Sequence, residues 1–218
     1  MTFKRLVLLT IIFSFCSITY AQNFQLGLKA SPLVGYFKTE TQNYQNEGAK
    51  LGFSYGLLLD RNFTDNYALA TEFSVTTIKG AYQFDSAGVI GDYENTTQYI
   101  EIPIALKLKT AEIGYFTYFG SFGLGNAFKI KAKQTSTVVD GNVTTTVTDK
   151  DISSSTAFYR AALNIGIGTE YSLSGNTKFL GGLLFSNGFL DTAKEENKND
   201  PDFKLTSSYI ALNLGVLF

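Results

Sequence analysis

Four charged residues stand at positions where an alternating pattern turns side chains toward a polar face: Lys29, Glu72, Glu101 and Arg160. Counted along their predicted strands, these four positions reach overlapping heights. A charge without a partner is costly in a narrow space filled by side chains, so opposite charges should pair there. We therefore expect Glu101 and Glu72 to engage Arg160 and Lys29 and to close that space to ions. The alternative is a path for a substrate or a proton.

The residue types that most enzymes need are missing. The chain has no histidine, and Cys16, its one cysteine, lies in the N-terminal apolar segment. A serine or aspartate without a neighbouring base is a poor nucleophile, and no glycine-rich phosphate loop joins a strand to a helix. The sequence therefore predicts a protein that is not an enzyme and has no cofactor. Its formal net charge of -1 gives no reason to expect nucleic acid as a partner.

One polar stretch, "DTAKEENKNDPDFK" at 191–204, carries several carboxylates. Oxygen ligands suit calcium. The carboxylates lack the spacing of a calcium loop, however, and lysines lie between them. Mixed charge runs of this kind are typical of solvated loops, and we expect one here.

The elements that must position these residues are strands. Apolar residues recur at every second position in eight runs, which is the period of a strand with one apolar face. The runs are 23–30, 50–60, 66–77, 98–109, 115–128, 158–173, 177–189 and 207–218. Short connections near residues 63, 112 and 175 alternate with long polar ones at 39–49, 79–96, 134–156 and 190–206. This pattern predicts an all-β fold, an eight-stranded antiparallel transmembrane β-barrel with short periplasmic turns and four long extracellular loops.

A soluble barrel would alternate equally well, so the contents of each face decide. The polar face combines charges with small residues such as Gly52, Ala70 and Gly166, which suits the narrow interior of an eight-stranded barrel. Aromatic residues gather near both strand ends, as at the two interfaces of a bilayer. They are Phe24, Tyr67, Tyr115, Phe116, Tyr171, Phe179 and Phe218 at the short-turn end, and Tyr36, Phe37, Phe128, Phe158, Tyr159 and Phe189 near the long loops.

Two local features make sharper predictions. Pro103 has no backbone N–H to donate, and a barrel has no edge strand to accommodate it. We therefore expect a bulge or a missing ladder bond at Ile102–Ile104. In the third long connection, Asp140, Gly141 and Asn142 are typical of a hairpin turn outside the barrel.

The C-terminal run "SSYIALNLGVLF" ends on an aromatic residue. Ile210, Leu212, Leu214, Val216 and Phe218 share one face, which we expect to lie against outer-membrane lipid. The strand should pair with the first strand and leave no edge. The run resembles the C-terminal signal by which Gram-negative outer-membrane barrels are recognised for insertion, which implies the barrel-assembly machinery as a partner during insertion.

The N-terminal run is typical of a secretory signal peptide. Lys4 and Arg5 precede an apolar segment that is short for a membrane-spanning helix, and Thr19 and Ala21 are the small residues of a cleavage site. We predict that residues 1–21 are removed after Ala21 and that 22–218 form one outer-membrane β-barrel domain. An uncleaved membrane anchor is the alternative.

Three stretches carry a narrower resemblance: "QYIEIPIALKLK", "RAALNIGIGTEYSL" and "LGGLLFSNGF". Together they look like the PorT-like family of small outer-membrane β-barrels, whose Tyr-x-Glu-Ile-Pro strand is matched by Tyr99, Glu101, Ile102 and Pro103. The resemblance spans essentially the whole mature chain. The resemblance implies an eight-stranded barrel in the outer membrane. The founding member of that family is linked to a protein-secretion machine.

Three hypotheses about function remain. The first is a structural or interaction role through the extracellular loops, with an envelope or surface protein, or a surface polymer, as partner. The second is a subunit of an envelope secretion or motility machine, and the third is a small porin-like pore. Four long loops favour the first, short periplasmic turns give the second little surface, and a filled interior argues against the third.

Overall fold

The structure of the chain is a computed structural model that describes residues 23–39, 41–86, 88–194 and 203–218. The predicted signal peptide and most of the acidic stretch at 191–204 lie outside these residues. In the described residues no helix is long and apolar enough to cross a membrane. The strands are β1 Phe24–Lys38, β2 Tyr44–Asn62, β3 Tyr67–Ser86, β4 Val89–Glu101, β5 Ile104–Lys109, β6 Phe116–Asp140, β7 Val143–Asp151, β8 Tyr159–Ser174, β9 Thr177–Gly188 and β10 Thr206–Leu217.

All pairings between these strands are antiparallel, and they form a closed cycle. From β1 the cycle passes through β2, β3, β6, β8, β9 and β10 and returns to β1. β4 and β5 share the single place between β3 and β6, while β7 pairs with β6 alone. Nine strands thus occupy eight places around the cycle, β7 lies outside it, and the predicted all-β antiparallel fold is confirmed.

The interruption predicted at Pro103 is confirmed. β4 ends at Glu101 and β5 begins at Ile104, so Ile102 and Pro103 belong to neither strand, although the Ile102 amide still donates to Asn126 O at 2.8 Å. The register on β3 is nevertheless the same on both sides, because Ser74 faces Glu101 and Thr71 faces Ile104. A bulge against β6 also falls between Gln98 and Tyr99. The break therefore removes ladder bonds without changing which face each side chain occupies.

Two of the four long connections are formed largely by paired strands rather than by irregular loop. β3 has 20 residues and β6 has 25, roughly twice the 9 to 11 that cross a bilayer, and both continue outward as paired strands. The connection at 79–96 is a hairpin between Ser86 and Val89. The predicted hairpin at 134–156 is confirmed, with β6 and β7 meeting at Asp140 and Val143. Threonine and valine dominate the segment 134–156, and β-branched residues favour strands even where they are polar.

The two faces of the strands follow the predicted alternation. Leu28, Leu57 and Phe73 are exposed on the outside, whereas Lys29, Ser74 and Arg160 are buried inside. The prediction that Phe37 belongs to the aromatic residues at the membrane interface is wrong, because Phe37 is buried and packs with Tyr82 inside the barrel. Its parity places it inward, since its neighbours Leu33 and Gly35 on β1 also face the interior.

The ring of Phe119 on β6 lies inside the barrel against Lys107, with the ammonium 4.5 Å from the ring centroid. A Cβ on Gly168 would come within 2.5 Å of its ring. A glycine is therefore required at this point of the wall if the ring is to fit, which explains one of the small residues on the polar face.

Candidate functional site

In the half of the barrel interior nearer the long connections, the polar side chains gather around Arg160 on β8. Its side chain is 1% exposed, and Nη1 lies 3.4 Å from Oε1 of Glu101. Nε donates to Ser207 Oγ at 2.8 Å, and Nη2 donates to Ser186 Oγ at 3.1 Å. The guanidinium also lies over the ring of Tyr209, 5.4 Å from its centroid. A buried charge is tolerated where its donors are satisfied, and this network does that for Arg160.

Glu101 is satisfied from other strands as well. Its Oε2 accepts hydrogen bonds from the hydroxyls of Thr76 at 2.8 Å and Tyr209 at 2.9 Å. Thr76 in turn contacts Ser54 Oγ at 2.8 Å. The Arg160–Glu101 pair thereby ties together side chains from β2, β3, β4, β8, β9 and β10.

Lys29 and Glu72 form a separate pair. Lys29 Nζ lies 2.5 Å from Glu72 Oε1, and Ser74 Oγ donates to the same oxygen at 2.9 Å. The structure thus places the four charges expected from the sequence inside the barrel as two pairs, not as one cluster.

Sequence reasoning missed a third charged group near the short-turn end. Lys107 Nζ lies 2.7 Å from Asp60 Oδ2 and 2.5 Å from Glu170 Oε1, and Lys178 reaches Glu170 Oε2 at 3.2 Å. Asp60, Lys107 and Glu170 are all buried. The signal was present, because each of these residues has the inward parity of its strand.

A small cavity of about 90 Å³ lies between this third group and the Lys29–Glu72 pair. Its lining includes Lys29 and Glu72 on one side and Asp60 and Lys107 on the other. It also includes Asn164, whose Oδ1 has no hydrogen-bond partner in the described residues. A cavity of this size has room for an ordered water molecule, which would satisfy that oxygen.

At the long-loop end, two loop segments are joined into a fixed wall. The amide of Ala157 donates to Thr192 O at 2.7 Å, and that of Lys194 donates to Ser155 O at 3.0 Å. Lys129 of β6 donates to the carbonyl oxygens of Ser153 and Thr156 and so fastens this wall to the barrel. Hydrogen bonds from the backbone and side chain of Ser153 lower the pKa of Asp151.

Behind this wall lies a second cavity, of about 270 Å³. We call it the mouth cavity and define it by Tyr44, Tyr82, Tyr93, Asn95, Gln134 and Phe203, with the lysines Lys150 and Lys194 at its rim. Tyr82 and Tyr93 stack at 5.1 Å, and Phe203 packs against Tyr44 at 4.5 Å.

The amide nitrogen of Gln134 donates to Tyr82 Oη at 3.1 Å and to Asn95 Oδ1 at 2.9 Å. Burial raises the pKa of the Tyr82 hydroxyl, so this group stays protonated. Polar groups of fixed orientation therefore face the mouth cavity beside aromatic rings.

The C-terminal residues lie as the sequence suggested. Ile210, Leu212, Leu214 and Phe218 are exposed on the outer face, and Val216 is half-buried there. The amide of Phe218 donates to Leu26 O at 2.7 Å, so the last residue continues the ladder onto β1.

An apolar outer face, a charged and filled interior and a closed cycle of antiparallel strands define an outer-membrane β-barrel. The comparisons with known proteins agree. Residues 20–194 match the sequence profile of the "Outer membrane protein beta-barrel domain" family. The chain belongs to this family, and the family indicates an outer-membrane location. No curated protein matches the chain.

Solved outer-membrane proteins share the fold. Neisserial surface protein A (NspA) is 12% identical with a TM-score of 0.51, over 89% of this chain and 96% of that chain. OprG from Pseudomonas aeruginosa is 11% identical with a TM-score of 0.52, over 89% of this chain and 95% of that chain. At these identities the comparison extends to the fold alone.

Proposed function

We propose that this protein is a non-enzymatic outer-membrane barrel that acts through its extracellular surface. The observation that carries the proposal is the contrast between its two parts. The interior is occupied by buried ion pairs at several heights. The long-loop end, by contrast, extends outward as paired strands and a wall of joined loops. A filled interior is poorly suited to the passage of ions or solutes, whereas a rigid projection is suited to contact with a partner.

The exposed hairpin of β6 and β7 is the most prominent part of this projection. All nine residues of β7 are exposed, and β7 pairs with β6 alone in the described residues. An envelope or surface protein, or a surface polymer, is the class of partner that such a projection can reach.

The PorT-like alternative, a subunit of a secretion or motility machine, places the partner at the periplasmic rim. That rim consists of short turns, including 63–66 and 175–176. Its small surface makes it the second choice, and a porin-like pore ranks below both because of the filled interior.

Crosslinking in intact cells separates these functions. A photo-crosslinking residue replaces Thr145 in the hairpin, and in a matched variant it replaces Thr64 in a periplasmic turn, both of which are exposed. We expect adducts from position 145. Adducts from position 64 alone would overturn the proposal in favour of the machine subunit, and conductance without adducts at either position would favour the pore.

A further inference from the structure

The mouth cavity has the composition of a small-molecule site. Cavities that bind ligands combine apolar and aromatic walls with a few polar groups of fixed direction. Here Tyr44, Tyr93 and Phe203 line the cavity and are only half-buried, so part of each ring remains accessible. Asn95 and Gln134 provide amide groups on the inner side. The site is built by the fold, because Gln134 is held by its bonds to both Tyr82 and Asn95.

These bonds define what the cavity offers to a ligand. Both hydrogens of the Gln134 amide nitrogen are engaged, so its carbonyl oxygen is the group left to accept a hydrogen bond. Hydroxyl groups can donate to such an oxygen, and the C–H face of a sugar ring can lie against an aromatic ring. A ligand with several hydroxyls and apolar ring faces therefore matches this lining.

The charges of the lining indicate the sign of the ligand. Lys150 and Lys194 are the charged side chains of the described residues that line the cavity, and both are exposed at its rim. These two ammonium groups favour a carboxylate, sulfate or phosphate on a sugar over a cationic group. The lysines lie at the rim and the aromatic rings deeper, an arrangement that suits an acidic group at the outer end of a bound sugar.

We infer that the mouth cavity binds a saccharide unit that bears an acidic group. The inference rests on the proposed extracellular function and deepens it, because it names the class of surface polymer that this end of the barrel would engage. The cavity volume of about 270 Å³ lies near the lower end of the range for small-molecule sites, so the bound part is short.

Binding is measured by titration calorimetry with the full mature protein in detergent micelles. The probes are trigalacturonate, which is acidic, and maltotriose, which is neutral. We expect trigalacturonate to bind about tenfold more tightly than maltotriose, and this preference should shrink as salt is added. Absence of saturable trigalacturonate binding to the wild-type protein would overturn the inference.

Variants locate the site. The pair Lys150→Gln and Lys194→Gln should remove the preference for the acidic probe. Lys204→Gln, which changes an exposed lysine outside the lining, is the matched control and should keep it. Gln134→Leu should weaken the affinity for both probes by about tenfold or more, since an amide that contacts the sugar is lost. Trigalacturonate binding that none of these variants changes would show adventitious surface binding and would overturn the inference.

Failure of the saccharide site can be distinguished from failure of the proposed extracellular function. Adducts from position 145 without saccharide binding would overturn only the saccharide site. Saccharide binding without adducts at position 145 would support the site and exclude a protein partner on the hairpin.

Discussion

The hydroxyl of Thr71 donates a hydrogen bond to the carbonyl oxygen of Pro103 at 2.7 Å. This contact replaces a ladder bond at the place where the chain leaves the sheet between β4 and β5. On the other side of the break, Asn126 Nδ2 donates to the carbonyl oxygen of Ile102 at 3.3 Å, and Tyr159 holds Asn126 through a bond of 2.6 Å. Side chains therefore satisfy both carbonyl groups of the break between β4 and β5, as the low-polarity surroundings of a membrane require.

Replacement of Thr71 by valine should destabilise the barrel by about 1 kcal/mol, because the Pro103 carbonyl loses its donor while the side chain keeps its shape. Thr77→Val is a matched control, since Thr77 makes no side-chain hydrogen bond in the described residues. The measurement is the unfolding midpoint in denaturant of the barrel refolded into lipid vesicles. Equal midpoints for the two variants would contradict this role for Thr71.

Truncation of Arg160 to alanine should destabilise the barrel by about 3 to 5 kcal/mol, because Glu101 would remain buried without its cation. The double change Arg160→Met with Glu101→Gln removes both charges and should recover part of the loss. Unfolding in denaturant measures both variants. If the double variant were less stable than Arg160→Ala, the stranded carboxylate would not be the cause.

Much of this interior could be predicted from the sequence, because side chains on a strand alternate strictly. The inward positions of Lys29, Glu72, Glu101 and Arg160 follow from parity alone. Which charges meet also depends on the register between strands and on the position of each residue along the barrel axis. A sequence specifies both only approximately. The contact between Asp60, Lys107 and Glu170 was missed for that reason, although all three have inward parity.

The long-loop end was harder to predict. Its wall depends on contacts between segments near residues 155 and 193, and on Lys129 from a third element. No local pattern marks such long-range contacts. Threonine-rich outer segments also read as loops when polarity alone is considered, whereas their β-branched residues let them pair as strands.

Deletion of Phe218 should impair assembly in cells more than refolding in detergent. The residue adds one ladder bond and an exposed aromatic ring to a barrel that is otherwise complete. We therefore expect its main role, like that of the apolar face shared by Ile210, Leu212, Leu214 and Val216, to be recognition during insertion. Phe63→Ala removes another exposed aromatic ring at the same end and serves as control. Equal outer-membrane levels of the deletion variant and the wild type would contradict the prediction.

The mature protein should begin at Gln22 and fractionate with the outer membrane. N-terminal sequencing of the purified protein tests the cleavage site after Ala21. The folded barrel should also run faster on a gel when unboiled than when boiled, because closed barrels resist unfolding by detergent. Recovery of the mature chain from the soluble periplasm would contradict the membrane assignment.

The wild-type protein should show conductance near zero in planar bilayers. The Arg160–Glu101 pair, the Lys29–Glu72 pair and the group of Asp60, Lys107 and Glu170 together fill the interior. Since an ion must pass all three, removal of one obstacle should leave the others in place. We expect Arg160→Ala with Glu101→Ala to stay closed, and Lys107→Ala with Glu170→Ala to stay closed as well. The variant that combines these four changes with Lys29→Ala and Glu72→Ala should conduct, provided that its gel shift shows a folded barrel. Steady conductance of the wild type, or equal conductance of a double variant and the sixfold variant, would show that these groups do not close the interior in series.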